Sequence, residues 1–202
     1  MKKIIMLVLP VIVLTGCISP KTYIDPNFGK ATYDDVKNVA KKYDAQVIVE
    51  FQRNGEKLDA VNQEVLNHVE RTLRATSVVT PSKVETDYSI KVTVNNIADM
   101  GEAAAKGFGT GLTFGAAGTT VTDYYEVAVE YTDKNGISLT KNYKHALHTT
   151  IGNEKAPFEG AIPTTPSDGF GTVVEQVLLN FVVEMQKDGK LTFVNSFVVK
   201  NS

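Results

Sequence analysis

Apolar side chains along this chain recur in two rhythms, and the switches between them mark out its elements. Behind Thr32, an N-cap residue type, Val36, Val39, Ala40 and Tyr43 repeat at helical spacing with Asp34 and Asp35 in the first turn, predicting a short helix over 33–43. Val47, Val49 and Phe51 read as a strand closed by Asn54-Gly55. Asp59 is placed to cap a second helix over 60–75, whose apolar stripe is Val61, Val65, Val69 and Leu73. Tyr88, Ile90, Val92 and Val94 alternate with Ser89, Lys91, Thr93 and Asn95, the signature of a strand with one wet face. Tyr125, Val127, Val129 and Tyr131 alternate in the same way with Glu126, Ala128 and Glu130. Asp133-Lys134-Asn135-Gly136 then supplies a turn, Asn-Gly being suited to positive φ, and a returning strand over 137–148 carries Ile137, Leu139, Tyr143 and Leu147.

Residues 152–169 hold three prolines and three glycines and read as a long loop. Phe170, Val173, Val174, Val177, Leu178, Phe181, Val182 and Met185 fit the i, i+3, i+4, i+7 pattern throughout, so a third helix is expected until Lys187-Asp188-Gly189 stops it. Leu191 to Val199 read as a last apolar strand. The predicted order, α-β-α-β-β-β-α-β without an internal repeat, specifies one α+β domain over 32–202: a mixed or mainly antiparallel sheet with two or three helices packed on one face. Residues 17–31, with two prolines, a glycine and no periodicity, read as a tether ahead of that domain.

Composition narrows the chemistry. With 202 residues, 43% hydrophobic and 22% charged, the chain is an ordinary globular one rather than a disordered one. A formal net charge of −2 gives no basic footprint for nucleic acid. A single cysteine excludes an internal disulfide and a cysteine zinc cage. His145 and His148 stand three apart on a predicted strand and so point to opposite faces, which favours surface histidines over a shared metal. His68 follows Glu64 by four on a helix and suits a solvated pair. The chain has no G-x-S-x-G elbow, no S-x-x-K and no H-E-x-x-H. Asp34-Asp35 and Glu126/Glu130 are explained by a helix N-terminus and a solvated strand face. No metal, no cofactor and no catalytic role are expected.

The first residues carry the most specific signal. Lys2 and Lys3 precede an apolar run from Ile4 to Leu14, and Leu14-Thr15-Gly16-Cys17 follows. The run is shorter than the roughly 20 residues a membrane-spanning helix needs, and it has the build of a secretory signal peptide over 1–16. Leu14-Thr15-Gly16-Cys17 resembles the lipobox of bacterial lipoproteins. That resemblance implies a diacylglycerol anchor on the Cys17 thiol, cleavage before Cys17, and acylation (palmitate) of the new N-terminus. The membrane is then a partner through the acyl chains on Cys17. Ile18, in place of the aspartate that retains such proteins in the inner membrane, implies the outer membrane facing the periplasm.

The segment 103–121 holds five glycines and one charge, Lys106. Gly107, Gly109 and Gly111 do not make a dinucleotide fingerprint, because Leu112 occupies the third glycine position and no helix is predicted to follow. Phe108, Leu112 and Phe114 share one strand parity, while Gly107, Gly109, Gly111 and Gly115 share the other. An arm of this kind lays an apolar face on lipid or on a neighbouring subunit; Gly111-x-x-x-Gly115 instead suits close helix packing, and a self-packed loop joining two strands is the plainer alternative.

The element order, with the lipobox and the glycine-rich insertion, resembles small periplasmic assembly modules: the curli-secretion lipoprotein family and the amino-terminal domain of the Tol system's propeller protein. The resemblance implies a non-catalytic, lipid-anchored module that binds an envelope protein during assembly, secretion or maintenance. A ring-forming homo-oligomer whose 103–121 segments line a pore, and a carrier for an acyl chain, are the alternatives.

Overall fold

Alternating burial along four long strands builds one open sheet with helices on a single face. A computed structural model describes residues 19–29, 31–98 and 118–192. Its strands are β1 (Lys21–Ile24), β2 (Tyr43–Arg53), β3 (Glu56–Lys57), β4 (Val79–Ser82), β5 (Tyr88–Ala98), β6 (Thr119–Thr132) and β7 (Ser138–Ile151), and its helices are α1 (Asn62–Ala75) and α2 (Pro166–Lys187). The seven strands form one mixed sheet in the order β1-β7-β6-β5-β2-β3, with β4 pairing β2 beside β3. β2 and β5 run parallel in the register Val47↔Ile90 and Phe51↔Val94; from β5 through β6 and β7 to β1, each strand is antiparallel to its neighbour. The domain is α+β, as the periodicity predicts.

The core lies between one sheet face and the two helices. Val47, Phe51, Ile90, Val92, Val94, Tyr125, Val127, Val129 and Tyr131 meet Val65, Val69 and Leu73 of α1 and the apolar stripe of α2. All eight apolar positions expected along α2 are buried. α2 starts earlier than predicted, at Pro166. Thr165 caps it by accepting the Asp168 N–H at 3.1 Å, so the preceding loop spans only 152–165. Asp59 does not cap α1. It opens a 3₁₀ turn over Asp59–Val61 and accepts the Asn62 side-chain amide at 3.1 Å, while Asn62 Oδ1 accepts the Phe51 N–H at 2.7 Å.

Two further expectations are corrected, and one strand is added. The helix over 33–43 is a single 3₁₀ turn, Tyr33–Asp35, in which the Asp35 carboxylate accepts the Thr32 N–H at 2.8 Å and the Thr32 hydroxyl at 2.9 Å. The chain on both sides of that turn crosses α2 as a strap without helix, because side-chain amides of α2 bind its backbone. Asn180 Oδ1 accepts the Ala31 N–H at 3.1 Å, and Gln186 holds Lys37 at both ends, accepting its N–H at 2.9 Å and donating to its carbonyl at 2.6 Å. Gly29, at φ +64, permits the approach, since a Cβ there would meet the Gln176 side chain.

Lys21–Ile24, inside the stretch read as aperiodic tether, pair with β7 as an edge strand, and Thr22 also bridges Thr164. β4 was not expected at all: Pro81 interrupts its pattern, and its place is fixed by parallel pairing to β2, as a sheet edge tolerates. The last strand over 191–199 falls outside the described residues after Thr192.

Candidate functional site

Helices cover one face of the sheet and leave much of the other open. Because strand side chains alternate, β2, β5, β6 and β7 contribute their second set of residues to that open face in aligned rows. Gln52, Asn95, Glu126 and Lys144 stand side by side across the four strands, and Glu50, Thr93, Ala128 and Asn142 form the next row. All of these residues but Glu50 line a hollow of about 450 Å³. Charges on this face are paired: Lys144 lies 3.4 Å from Glu126, and Lys57 lies 2.8 Å from Glu50. Hydrogen bonds from Lys57 and then Gln52 hold the Glu50 carboxyl below its ordinary range, so it stays ionised. Ile48 and Tyr124 stand on the same face, 43% and 49% exposed, at either side of the polar rows. Glu126 and Glu130 are solvent-facing here, as the alternation predicts.

The histidines are placed differently from expectation. His145 is buried, not superficial: it faces α2, where its Nε2 donates to Gln176 Oε1 at 2.7 Å and its Nδ1 accepts the Ala146 N–H at 2.9 Å. Phe28 lies over its ring at 5.4 Å. The opposite-face geometry does hold, since His148 points to the other side, under the edge of Phe158. There the Asp25 carboxylate lies 3.2 Å from Nε2 and the Thr122 hydroxyl 3.0 Å from Nδ1. Burial opposes ionisation of Asp25, but the Asn27 N–H and His148 outweigh it and hold its carboxyl below the usual range. This carboxylate–imidazole–hydroxyl chain joins the end of β1 to β7 and β6. Its order is that of a carboxylate–imidazole–hydroxyl relay, and the ring of Phe158 packs against its imidazole.

His68 does pair with Glu64 four residues earlier, but the imidazole side of the pair is largely buried rather than solvated. Its ring lies edge-on to Phe170, and Arg71 donates to Nδ1 at 3.1 Å, while Glu64 is 3.8 Å from Nε2. Burial, then the Arg71 charge, lowers its pKa. Among the described residues no group of three His, Cys, Asp or Glu side chains can hold a metal ion, and no helix is long and apolar enough to cross a membrane.

Cys17 and the glycine-rich candidates Gly107, Phe108, Gly109, Gly111, Leu112, Phe114 and Gly115 lie outside the described residues. Their flanks do not. Ala98 ends β5, and Gly118 precedes β6 with its backbone packed against Glu154 of the 152–165 loop. The open face itself was only half legible. The alternation gave each strand's wet side, but the alignment of Gln52 with Asn95, Glu126 and Lys144 needed the register.

The class defined by this architecture is a single α+β domain with one helix-covered and one open sheet face. No family model matches the sequence, and no curated protein matches it. Among solved structures, a PelC dodecamer variant from Paraburkholderia phytofirmans is similar, with 16% identity, 79% of this chain and 95% of that one covered, and a TM-score of 0.36. A minor lipoprotein from Acinetobacter baumannii is also similar, with 10% identity, 75% and 93% covered, and a TM-score of 0.33.

Proposed function

We propose that this protein is a non-catalytic lipoprotein, anchored through Cys17 in the outer membrane, whose open sheet face binds an envelope protein. The observation that carries the reading is the exposure of Tyr124 and Ile48 beside the aligned polar rows, on a face that no helix among the described residues covers. Exposed aromatic and aliphatic anchors flanking hydrogen-bonding groups are what a protein interface uses. The lipobox resemblance supports the anchor, and Ile18 supports the outer membrane.

The test is photo-crosslinking in the living envelope from Thr93 and Asn142 on the open face, with Glu175 on α2 as the control. A discrete adduct from the face positions alone, abolished by Tyr124→Ala with unchanged circular dichroism, supports the reading. Adducts of equal yield from Glu175, or adducts indifferent to Tyr124→Ala, overturn it. Cys17→Ser should move the protein out of the membrane fraction, and retention there would refute the anchor.

A further inference from the structure

β7 is paired along only part of its outer edge. β6 flanks it from Ser138 to Ile151, but β1 covers the other side only from Leu147 to Thr150. In an antiparallel ladder alternate residues turn their N–H and C=O groups away from the neighbouring strand. Ile137 bonds inward, its carbonyl accepting the Asp133 N–H at 3.0 Å, and Ala146 bonds outward, its carbonyl accepting the Asp25 N–H at 3.2 Å. Ser138, Thr140, Asn142 and Lys144 therefore aim their backbone groups outward, and all four residues are exposed. Among the described residues none supplies these groups with a partner. The carboxy-terminal chain is led away from this edge, since Thr192 donates its N–H to the Tyr43 hydroxyl at the start of β2, three strands across the sheet.

An unpaired edge is a template for another strand unless proline, a bulge or a free charge guards it. Residues 138–144 hold no proline and pair with β6 without a bulge. Their lysines are engaged: Lys141 lies 2.8 Å from Asp188, and Lys144 lies 3.4 Å from Glu126. The edge is also its own complement in one antiparallel register. With Thr140 opposite Thr140 of a second copy, Ser138 meets the second copy's Asn142, and Leu139 meets its Lys141. Uncharged hydrogen-bonding side chains then face one another on the open side, a favourable cross-strand pairing. Ile137, 58% exposed beside the turn, comes opposite the half-buried Tyr143 of the second copy. Ser138, Thr140 and Asn142 each gain two backbone bonds, about six in all.

Neighbouring registers fit less well. Centred on Asn142, the second copy's Ile137 falls opposite Leu147, in the place where Ile24 already pairs. Centred on Lys141, that lysine faces itself, and like charges directly opposite are unfavourable. Centring nearer the turn shortens the ladder.

We propose that the β7 edge pairs with the same edge of a second copy of this chain, antiparallel and centred on Thr140, so that two sheets join into one. The symmetry axis is perpendicular to the sheet, and both open faces stand on the same side as one continuous surface. The pairing is independent of the partner-binding reading above. A ladder this short buries little area, so the dimer is reversible.

The test is oxidative crosslinking of the full-length chain in mild detergent with copper phenanthroline. Residues opposite one another at a hydrogen-bonded antiparallel pair have Cα atoms about 5.5 Å apart, within disulfide reach. Thr140→Cys should therefore give a disulfide dimer in more than half of the chains. Ser138→Cys and Asn142→Cys, each roughly 13 Å from its own counterpart, should give little alone and a dimer when mixed. Glu56→Cys on the opposite sheet edge, and the unsubstituted chain with its single Cys17, set the background. Thr140→Cys at background yield overturns the proposal, as it would if residues 193–202 covered the edge. Equal yields from Thr140→Cys, Ser138→Cys and Asn142→Cys alone overturn it too.

Sedimentation equilibrium decides if a cysteine variant misfolds by circular dichroism. The native chain should show a concentration-dependent dimer, and Ile137→Lys, at a side chain already exposed in the single copy, should raise its Kd about tenfold. A native chain that stays monomeric, or a dimer indifferent to Ile137→Lys, refutes the pairing.

Discussion

Gln186 is a buried polar residue near the end of α2, and removing it isolates what fastens the amino-terminal strap. It is 4% exposed and makes two hydrogen bonds to the Lys37 backbone, at 2.9 and 2.6 Å. Gln186→Ala deletes both and leaves the Lys37 amide and carbonyl without their protein partners. At about 1 kcal/mol net per bond, the loss is about 2 kcal/mol. For a domain of this size that corresponds to a fall in Tm of roughly 4–8 °C. Asn180→Ala removes one bond, from the Ala31 N–H at 3.1 Å, and should cost about half as much. Urea denaturation of both variants measures the totals. Trypsin measures the local effect, since Lys37, Lys41 and Lys42 lie in the strap, and cleavage through local opening should quicken roughly 30-fold for a 2 kcal/mol loss. A Gln186→Ala loss below about 0.5 kcal/mol, or equal losses for the two variants, would refute the account of the strap as held by these amides.

Two further outcomes follow from the geometry. Gly118 sits at φ +72, and a Cβ there would lie 2.5 Å from the Glu154 backbone nitrogen, so Gly118→Ala combines a left-handed strain of about 1 kcal/mol with displacement of the loop. A lower Tm with faster amide exchange over 151–155 is expected, and an unchanged melting curve would contradict the packing. His68 has a folded pKa below its ordinary 6.5 because burial and then Arg71 disfavour the imidazolium. The folded state therefore binds fewer protons than the unfolded one in that window. Its stabilising contribution is complete above 6.5 and is lost as pH falls through the folded value. Urea midpoints at about pH 7.5 and about pH 5 should differ less in His68→Gln than in the native chain, and equal differences would remove His68 from the acid response.

How much was legible follows from which forces act locally. The hairpin of β6 and β7 and the apolar stripes of α1 and α2 could be read directly, because alternation and helical spacing express the burial of one side of an element. The turn between β6 and β7 came out slightly differently: only Gly136 takes positive φ, at 76°, while Asp133 Oδ1 accepts the N–H groups of Asn135 and Ile137. The 33–43 segment failed for a specific reason. Its helical spacing of Val36 and Val39 is real, and both pack against the core, but they do so from an extended strap bound by Asn180 and Gln186. No local pattern signals amides 149 residues away. β1 was hidden likewise, because an edge strand of four residues draws its stability from the ladder with β7 rather than from its own sequence.

The open face divides in the same way. That β5 and β6 each have a wet side, that the residues from Thr119 to Thr122 carry no charge, and that a lipobox precedes the domain are properties of the sequence alone, since each depends on residue type and spacing. That Gln52, Asn95, Glu126 and Lys144 form one row, that His145 is buried against Gln176, and that β1 enters the sheet at the end where β6 begins were decided only by the tertiary structure. The reason is physical: register and strand order are set by burial summed over the whole sheet and by hydrogen bonds between distant segments, and a linear pattern records neither.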